Sequence, residues 1–94
     1  MQELTLEDSI QSNPSNLTKE EINGEIVMMD FLNGNYILLN KMSSIIWKEI
    51  EKPILISDLI NILKKRFDVE SEVCIKETLI CLNKLNQQNL IIKR

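Results

Sequence analysis

The fold is decided by residues 25–40, which read EIVMMDFLNGNYILLN. Two runs rich in large apolar residues flank Asn33-Gly34, a dipeptide whose residues accept the positive φ angles of a tight turn. The pattern predicts a β-hairpin with its turn over Leu32–Asn35 and its second strand over Asn35–Asn40. A marginal strand over Asn16–Ile22 would complete a three-stranded antiparallel sheet.

After Asn40 the apolar residues follow helical spacing. Asn40 is suited to cap the first helix, which ends before Pro53. A second helix is expected from about Ser57 to Phe67. A third begins at Glu70 or Ser71, extends to about Gln88 and stops at a left-handed Asn89, and Leu90–Ile92 follows as an extended apolar tail. The order predicts an α+β, winged helix-turn-helix-like fold: a three-stranded antiparallel sheet followed by three helices.

Length and composition indicate a single small domain. The chain has 94 residues, of which 44% are hydrophobic and 27% charged, and this balance is typical of a folded domain. We expect one domain over residues 1–94, with a polar and weakly ordered segment over 1–14.

The charge distribution argues against a nucleic-acid partner. Residues 1–30 carry one cation and seven anions, and residues 31–94 carry ten cations and seven anions. Nucleic-acid binding usually needs a concentrated basic face, and the tripeptide Lys64-Lys65-Arg66 fits the C-terminal turn of a helix equally well. No apolar run approaches the 18 or so residues of a membrane span, so no membrane partner is expected.

The chain offers little for catalysis or metal binding. It has no histidine and two cysteines, Cys74 and Cys81, whose seven-residue separation in one helix places them about 10 Å apart, too far for a disulfide. Ser43-Ser44 has no base nearby in sequence, and the carboxylates fall at helix ends and turns. We therefore expect no enzyme activity, no cofactor and no metal, with reduced cysteines in a cytoplasmic protein.

The third helix has a core stripe and an ambiguous flank. The core stripe comprises Cys74, Thr78, Cys81, Leu82 and Leu85. Ile75 and Leu79 lie on one side of it, beside Glu72, Asn83 and Asn86, and Lys84 falls on the opposite side. Two interpretations stay open: Ile75 and Leu79 widen the buried face, or they form one wall of a shallow groove. An unpaired edge on Asn35–Asn40 would supply the other wall, since a free strand edge binds extended peptides.

The motifs resemble a known family. The relevant stretches are Gly24–Asp30, Gly34–Asn40, Ile46-Trp47, the series Leu59…Leu63…Phe67-Asp68-Val69, and the series Leu82…Leu85…Leu90-Ile91. In this order they resemble the PqqD-like family, the precursor-peptide recognition elements of ribosomally made, modified peptides. The polar N-terminal segment with Asn13-Pro14, and Cys74 at the start of the third helix, look most like stand-alone members from lasso peptide clusters.

The resemblance implies that the leader region of a precursor peptide adds as a strand to the third β-strand and packs on the third helix. The expected peptide-binding residues are Asn35, Tyr36, Ile37, Leu38, Leu39, Glu72, Ile75, Lys76, Leu79, Leu82 and Asn83. It also implies a partner enzyme, a leader peptidase or alternatively a radical maturation enzyme, and we expect a monomer or weak homodimer.

The chain departs from the family pattern where Leu55 opens the second helix, so we expect Ser57 to cap it instead. Two other functions remain open at this stage. The first is a winged-helix DNA-binding regulator, and the second is a helical dimerisation module.

Overall fold

The structure, a computed structural model, describes residues 3–94. Within residues 3–94, six strands and three helices follow one another. They are β1 (Ser9–Ser12), β2 (Leu17–Ile22), β3 (Glu25–Asp30), β4 (Asn35–Leu39), α1 (Lys41–Glu49), β5 (Ile54–Leu55), α2 (Ile56–Phe67), α3 (Ser71–Gln87) and β6 (Ile91–Lys93). The predicted α+β order of a three-stranded antiparallel sheet and three helices is confirmed.

The three-stranded sheet has the order β2-β3-β4 and is antiparallel throughout. The predicted β3–β4 hairpin forms, but Asp30 pairs with Asn35, so a four-residue loop over 31–34 replaces the expected tight turn over Leu32–Asn35. Gly34 ends this loop at φ 72°. The Asp30 carboxylate accepts bonds from the backbone N–H groups of Leu32 and Asn33 and from the Asn33 side chain, at 2.8–3.1 Å. The side-chain bond from Asn33 is the main reason that the pKa of Asp30 lies below its ordinary value.

The two faces of this sheet differ in their surroundings. On the inner face, Ile26 and Met28 of β3 are fully buried and share the hydrophobic core with residues of α1, α2 and α3. On the outer face, Tyr36 and Leu38 of β4 are 69% and 75% exposed. The strand alternation thus gives one face to the core and leaves the other open to solvent.

A second sheet, which the sequence analysis did not predict, has the order β5-β1-β6. Strand β1 pairs on both sides and therefore lies at its centre. Ile10 of this strand is fully buried, and Leu4 is 3% exposed. The segment expected to be weakly ordered over 1–14 thus contains a strand and two buried apolar side chains, and Met1 and Gln2 lie outside the described residues.

The same N-terminal segment caps α2. The helix follows Leu55, which provides no side-chain capping bond. Instead the first two N–H groups, of Ile56 and Ser57, donate to the carbonyls of Asp8 and Leu6 at 3.0 and 3.1 Å. These bonds satisfy N–H groups that a helix start leaves without intrahelical partners. The expectation that Ser57 caps the helix is therefore wrong, because Ser57 lies inside it and the cap comes from distant backbone.

Helix α1 starts directly after β4 and is joined to the hairpin by one buried hydroxyl. The Asn40 side chain accepts from the Ser43 N–H at 2.9 Å, which confirms the predicted cap. Ser44, fully buried, accepts from the Ile26 N–H at 2.8 Å and donates to the Leu39 carbonyl at 3.1 Å. The hydroxyl thus lies between β3 and β4, at a position where the two strands would otherwise hydrogen-bond to each other directly.

We predict that Ser44→Ala lowers the free energy of unfolding by about 1–3 kcal/mol, because it leaves a buried N–H and a buried carbonyl without partners. Denaturant unfolding measures the change. Ser15→Ala, in an exposed turn, is the control and is expected to have little effect. Equal unfolding free energies for the two variants would contradict the role assigned to Ser44.

We predict that Leu4→Ala lowers the free energy of unfolding by about 2–5 kcal/mol, as expected for a leucine removed from a packed core. Leu6→Ala, two residues away and much more exposed, should cost about 0.5 kcal/mol or less. A thermal or urea melt of both variants makes the comparison. If Leu4→Ala proves as mild as Leu6→Ala, the segment is not held in the core.

Candidate functional site

Strand β4 forms one edge of the β2-β3-β4 sheet, and the Ser44 bridge fixes which of its backbone groups point outward. Ile26 N–H and Leu39 C=O both reach Ser44 and so face each other across the β3–β4 gap. Because the N–H and C=O directions alternate along a strand, Ile37 also points toward β3. Tyr36 and Leu38 therefore direct their N–H and C=O groups away from the sheet.

The opposite edge of the sheet, β2, is built differently. Its sequence, LTKEEI, places Lys19, Glu20 and Glu21 in succession. Lys19 and Glu21 form ion pairs with Glu51 and Lys48 of the α1 region at 3.4 and 2.7 Å. Charged residues on an edge strand discourage further pairing. Strand β4 carries no charged residue, so it is the edge that remains able to accept another strand.

A groove of about 870 Å³ runs between the β4 edge and α3. The β4 side of this groove is lined by Tyr36–Leu39, and Met42, Ser43 and Ile46 of α1 form its floor. The C-terminal part of α3 and its C-cap form the opposite wall, with Glu77, Ile80, Cys81, Lys84, Leu85 and Gln88. The volume is within the range of about 300–1,000 Å³ that ligand sites occupy.

A second, smaller cavity of about 460 Å³ lies beside β2. Met28 and Trp47 contribute apolar surface to it, and the Lys19–Glu51 ion pair borders it. It lies beside the charged edge and has no open strand along its wall. The β4–α3 groove is therefore the better candidate for a peptide site.

The structure brings together the β4 half of the predicted site but places the α3 half elsewhere. Asn35 is exposed at the start of β4, and Tyr36–Leu39 line the groove. Ile75 and Leu79 are half-buried against the core and do not line it. Lys84, expected on the side away from the groove, lines it. The groove is thus formed by the other flank of α3 from the one that the sequence analysis selected.

The other α3 residues predicted to bind peptide also lie outside this groove. Glu72 and Lys76 are exposed outside the groove, and Leu82 is fully buried in the core. Asn83 accepts a hydrogen bond from the Leu4 N–H at 3.0 Å. The N-terminal segment therefore approaches the flank of α3 that contains Asn83, which leaves the other flank to face β4.

The flank of α3 that lines the groove is hard to recognise from the sequence for a physical reason. Ile75 and Leu79 form an apolar pair, whereas the flank that lines the groove mixes Ile80 with Glu77 and Lys84, so apolarity alone favours the flank outside the groove. One sequence signal for the groove flank is the presence of Ile80, together with Val73. These two apolar residues, 47% and 45% exposed, fall on the polar side of α3 at a seven-residue spacing.

Cys81 packs against the edge of the core, as its place on the core stripe predicts, and also lines the groove. It is half-buried, and its thiol donates to the Ser43 hydroxyl at 3.4 Å. Burial raises the pKa of the Cys81 thiol above its ordinary value, and the Ser43 hydrogen bond and the Lys84 charge oppose this shift only in part. The thiol is therefore protonated at neutral pH. Cys74, in contrast, is 1% exposed inside the core.

Two features of the described residues bear on other functions. Among residues 3–94, no group of three or more His, Cys, Asp or Glu side chains is arranged to hold a metal ion. No helix in that part of the chain combines the length and apolar character needed to cross a membrane.

The architecture defines the class of protein: a small α+β domain with two antiparallel sheets and three helices, one open sheet edge facing the last helix. The family follows from the sequence. The family described as Coenzyme PQQ synthesis protein D (PqqD) matches residues 25–91, most of the chain, and the chain belongs to this family.

Comparison with solved structures supports the fold. One described as TbiB1 in complex with the TbiA(beta) leader peptide is similar with a TM-score of 0.75. The similarity covers 86% of this chain and 93% of that chain at 17% sequence identity. A search among curated proteins gave no match.

We predict that alkylation of Cys81 by iodoacetamide accelerates about tenfold per pH unit, because the thiolate is the nucleophile and its pKa is raised. The rate should not level off below pH 9.0. Cys74 should stay unmodified in the folded protein and serves as the internal control. Mass spectrometry of timed samples follows both sites. A plateau near neutral pH would show a stabilised thiolate and contradict the assignment.

Proposed function

We propose that this protein binds the leader region of a ribosomally synthesised precursor peptide by accepting it as an additional strand on β4. The observation that carries the proposal is the uncharged β4 edge, whose outward N–H and C=O groups at Tyr36 and Leu38 face α3 across the groove. Main-chain bonds would supply affinity, and side-chain contacts in the groove would supply specificity. The leader peptide bound to the structurally similar TbiB1 supports this choice of ligand.

Strand addition would sort the peptide's side chains into two sets. Alternate residues of a strand point to opposite faces. One set would enter the groove and meet Met42, Ile80 and the half-buried Ile37. The other would lie on the outer face beside Tyr36 and Leu38, covering apolar surface that is exposed in the free protein.

The groove suits a single extended chain. Helix α3 bounds it on the side away from β4, so an added strand would have the helix as its second neighbour. A whole sheet edge from another copy would need the space that α3 fills. This favours a monomeric binding unit over edge-to-edge dimerisation.

The charge pattern does not favour the DNA-binding alternative. Helix α3 carries two basic residues, Lys76 and Lys84, and two acidic residues, Glu72 and Glu77, so its side-chain charges cancel. A recognition helix for DNA works beside a positive surface that neutralises phosphates. The chain as a whole carries a net charge of −3.

The protein would act as an adaptor for a separate enzyme. A bound precursor would be presented to a leader peptidase, as in lasso peptide maturation, or alternatively to a radical enzyme. The exposed outer face of the sheet supports such a role, because it adjoins the proposed peptide strand and no element in residues 3–94 covers Tyr36 or Leu38. The free thiols of Cys74 and Cys81 fit a cytoplasmic location.

We predict that Leu38→Pro weakens leader binding at least tenfold, equivalent to about 1.4 kcal/mol, because proline removes an outward N–H donor. The ligand is a synthetic leader-region peptide from a precursor gene sought in the genomic neighbourhood, and isothermal titration calorimetry gives its affinity. Circular dichroism confirms that the variant is folded.

The matched control is Glu21→Pro. Phe31 N–H donates to the Asn16 carbonyl, so by alternation the Glu21 N–H also points outward, on the β2 edge. This variant should keep the wild-type affinity. If the folded Leu38→Pro variant binds normally, or if Glu21→Pro is the one that loses binding, the peptide does not add to β4.

A further inference from the structure

Two charged side chains on the α3 wall of the groove have no ion-pair partner. Residues 3–94 contain four ion pairs, joining Lys19 to Glu51, Lys48 to Glu21, Arg66 to Glu49 and Lys93 to Asp8. Glu77 and Lys84 take part in none of them, although both line the groove. Their charges are therefore available to a ligand.

The spacing of these two residues sets a direction along the groove. Glu77 and Lys84 are seven residues apart, so they lie on one helix face at about 10 Å separation. Ile80 lies between them and is 47% exposed. The wall thus presents a carboxylate, an apolar side chain and an ammonium group in sequence.

The Lys84 charge reaches into the groove. Its ammonium group lowers the pKa of the Cys81 thiol, in opposition to the larger effect of burial. Cys81 bonds Ser43 of the groove floor, so Lys84 acts electrostatically on the interior of the site and not on bulk solvent alone.

We infer that the groove selects a peptide in which an apolar residue, facing Ile80, is flanked by a basic residue on the Glu77 side and an acidic residue on the Lys84 side. This inference rests on the proposed function and specifies the class of peptide that the site accepts. In an added strand, side chains facing α3 recur every second residue, about 6.7 Å apart. The pattern is therefore basic, any, apolar, any, acidic, or its reverse, depending on the strand direction.

The pattern fits the reach of the side chains involved. The two charged peptide positions lie about 13 Å apart along an extended strand, and the wall charges about 10 Å apart along the helix. Lysine, arginine and glutamate side chains span the difference. A second carboxylate, Glu25, also borders the groove, so the acidic lining residues outnumber the one lysine.

The experiment uses a display library of random twelve-residue peptides selected on the full-length protein. Three proteins are compared: the wild type, the charge-reversed Glu77→Lys/Lys84→Glu variant, and a control, Glu72→Lys/Lys76→Glu. The control reverses two exposed charges of the same helix outside the groove. All three have the same net charge, so general electrostatic attraction is held constant.

We expect the wild type and the control to enrich the same charged pattern around an apolar residue, and the charge-reversed variant to enrich the pattern with its charges exchanged. An enriched wild-type peptide should lose roughly tenfold in affinity for the charge-reversed variant at low salt, the size expected of two exposed ion pairs, and less at high salt.

The outcomes separate this inference from the proposed function. If the charge-reversed variant enriches the same peptides as the wild type, the inference is overturned. The proposed strand addition still holds in that case, provided that Leu38→Pro fails to bind those peptides. If enriched peptides bind Leu38→Pro as well as the wild type, or if no peptide is enriched, both the proposed function and the inference are overturned.

Discussion

The geometry of the site depends on the Ser44 hydroxyl. It accepts from Ile26 N–H and donates to Leu39 C=O, and so fixes the end of the hairpin to the first turn of α1. A strand end that diverges into a helix leaves buried backbone groups without partners, and such groups cost about 1–3 kcal/mol each when unsatisfied. By satisfying both, Ser44 allows β4 to stop at Leu39 and the chain to turn under the sheet. It also determines that the backbone N–H and C=O groups of Tyr36 and Leu38 point away from the sheet.

The two edges of the β2-β3-β4 sheet show how the chain limits pairing to one side. Lys19 and Glu21 on β2 are held by ion pairs to the α1 region, and their charges oppose the approach of another strand. Strand β4 has no such protection, but α3 stands across the groove and restricts access to one extended chain. An open strand edge is a risk for aggregation, and here the helix that would pack on a bound peptide also reduces that risk in the free protein.

Much of the fold could be predicted from local signals. Asn33-Gly34 indicated the hairpin, Asn40 the start of α1, and Asn89 the end of α3, because each acts through its own backbone or side chain. The second sheet could not be predicted, since β1 pairs with residues more than forty positions away and its segment is polar in sequence. The cap of α2 by the carbonyls of Leu6 and Asp8 is equally invisible to local patterns.

The candidate site divides in the same way. The β4 half followed from the hairpin, whose bounds are local. The α3 half did not, because the choice between its two flanks depends on where Leu4 and the N-terminal segment pack, beside Asn83. A helical wheel identifies the core face of α3 but cannot distinguish its flanks. Ile75 and Leu79 were selected because they are apolar, whereas the groove uses Ile80 with Glu77 and Lys84.

Backbone amide hydrogen exchange, measured by NMR with and without a bound leader peptide, distinguishes strand addition at the two sheet edges, because it reports on individual N–H groups. Strand addition to β4 predicts that the amides of Tyr36 and Leu38 exchange fast in the free protein and become protected in the complex, while those of Lys19 and Glu21 are unchanged. Protection of Lys19 and Glu21 with no change at Tyr36 and Leu38 would contradict the account.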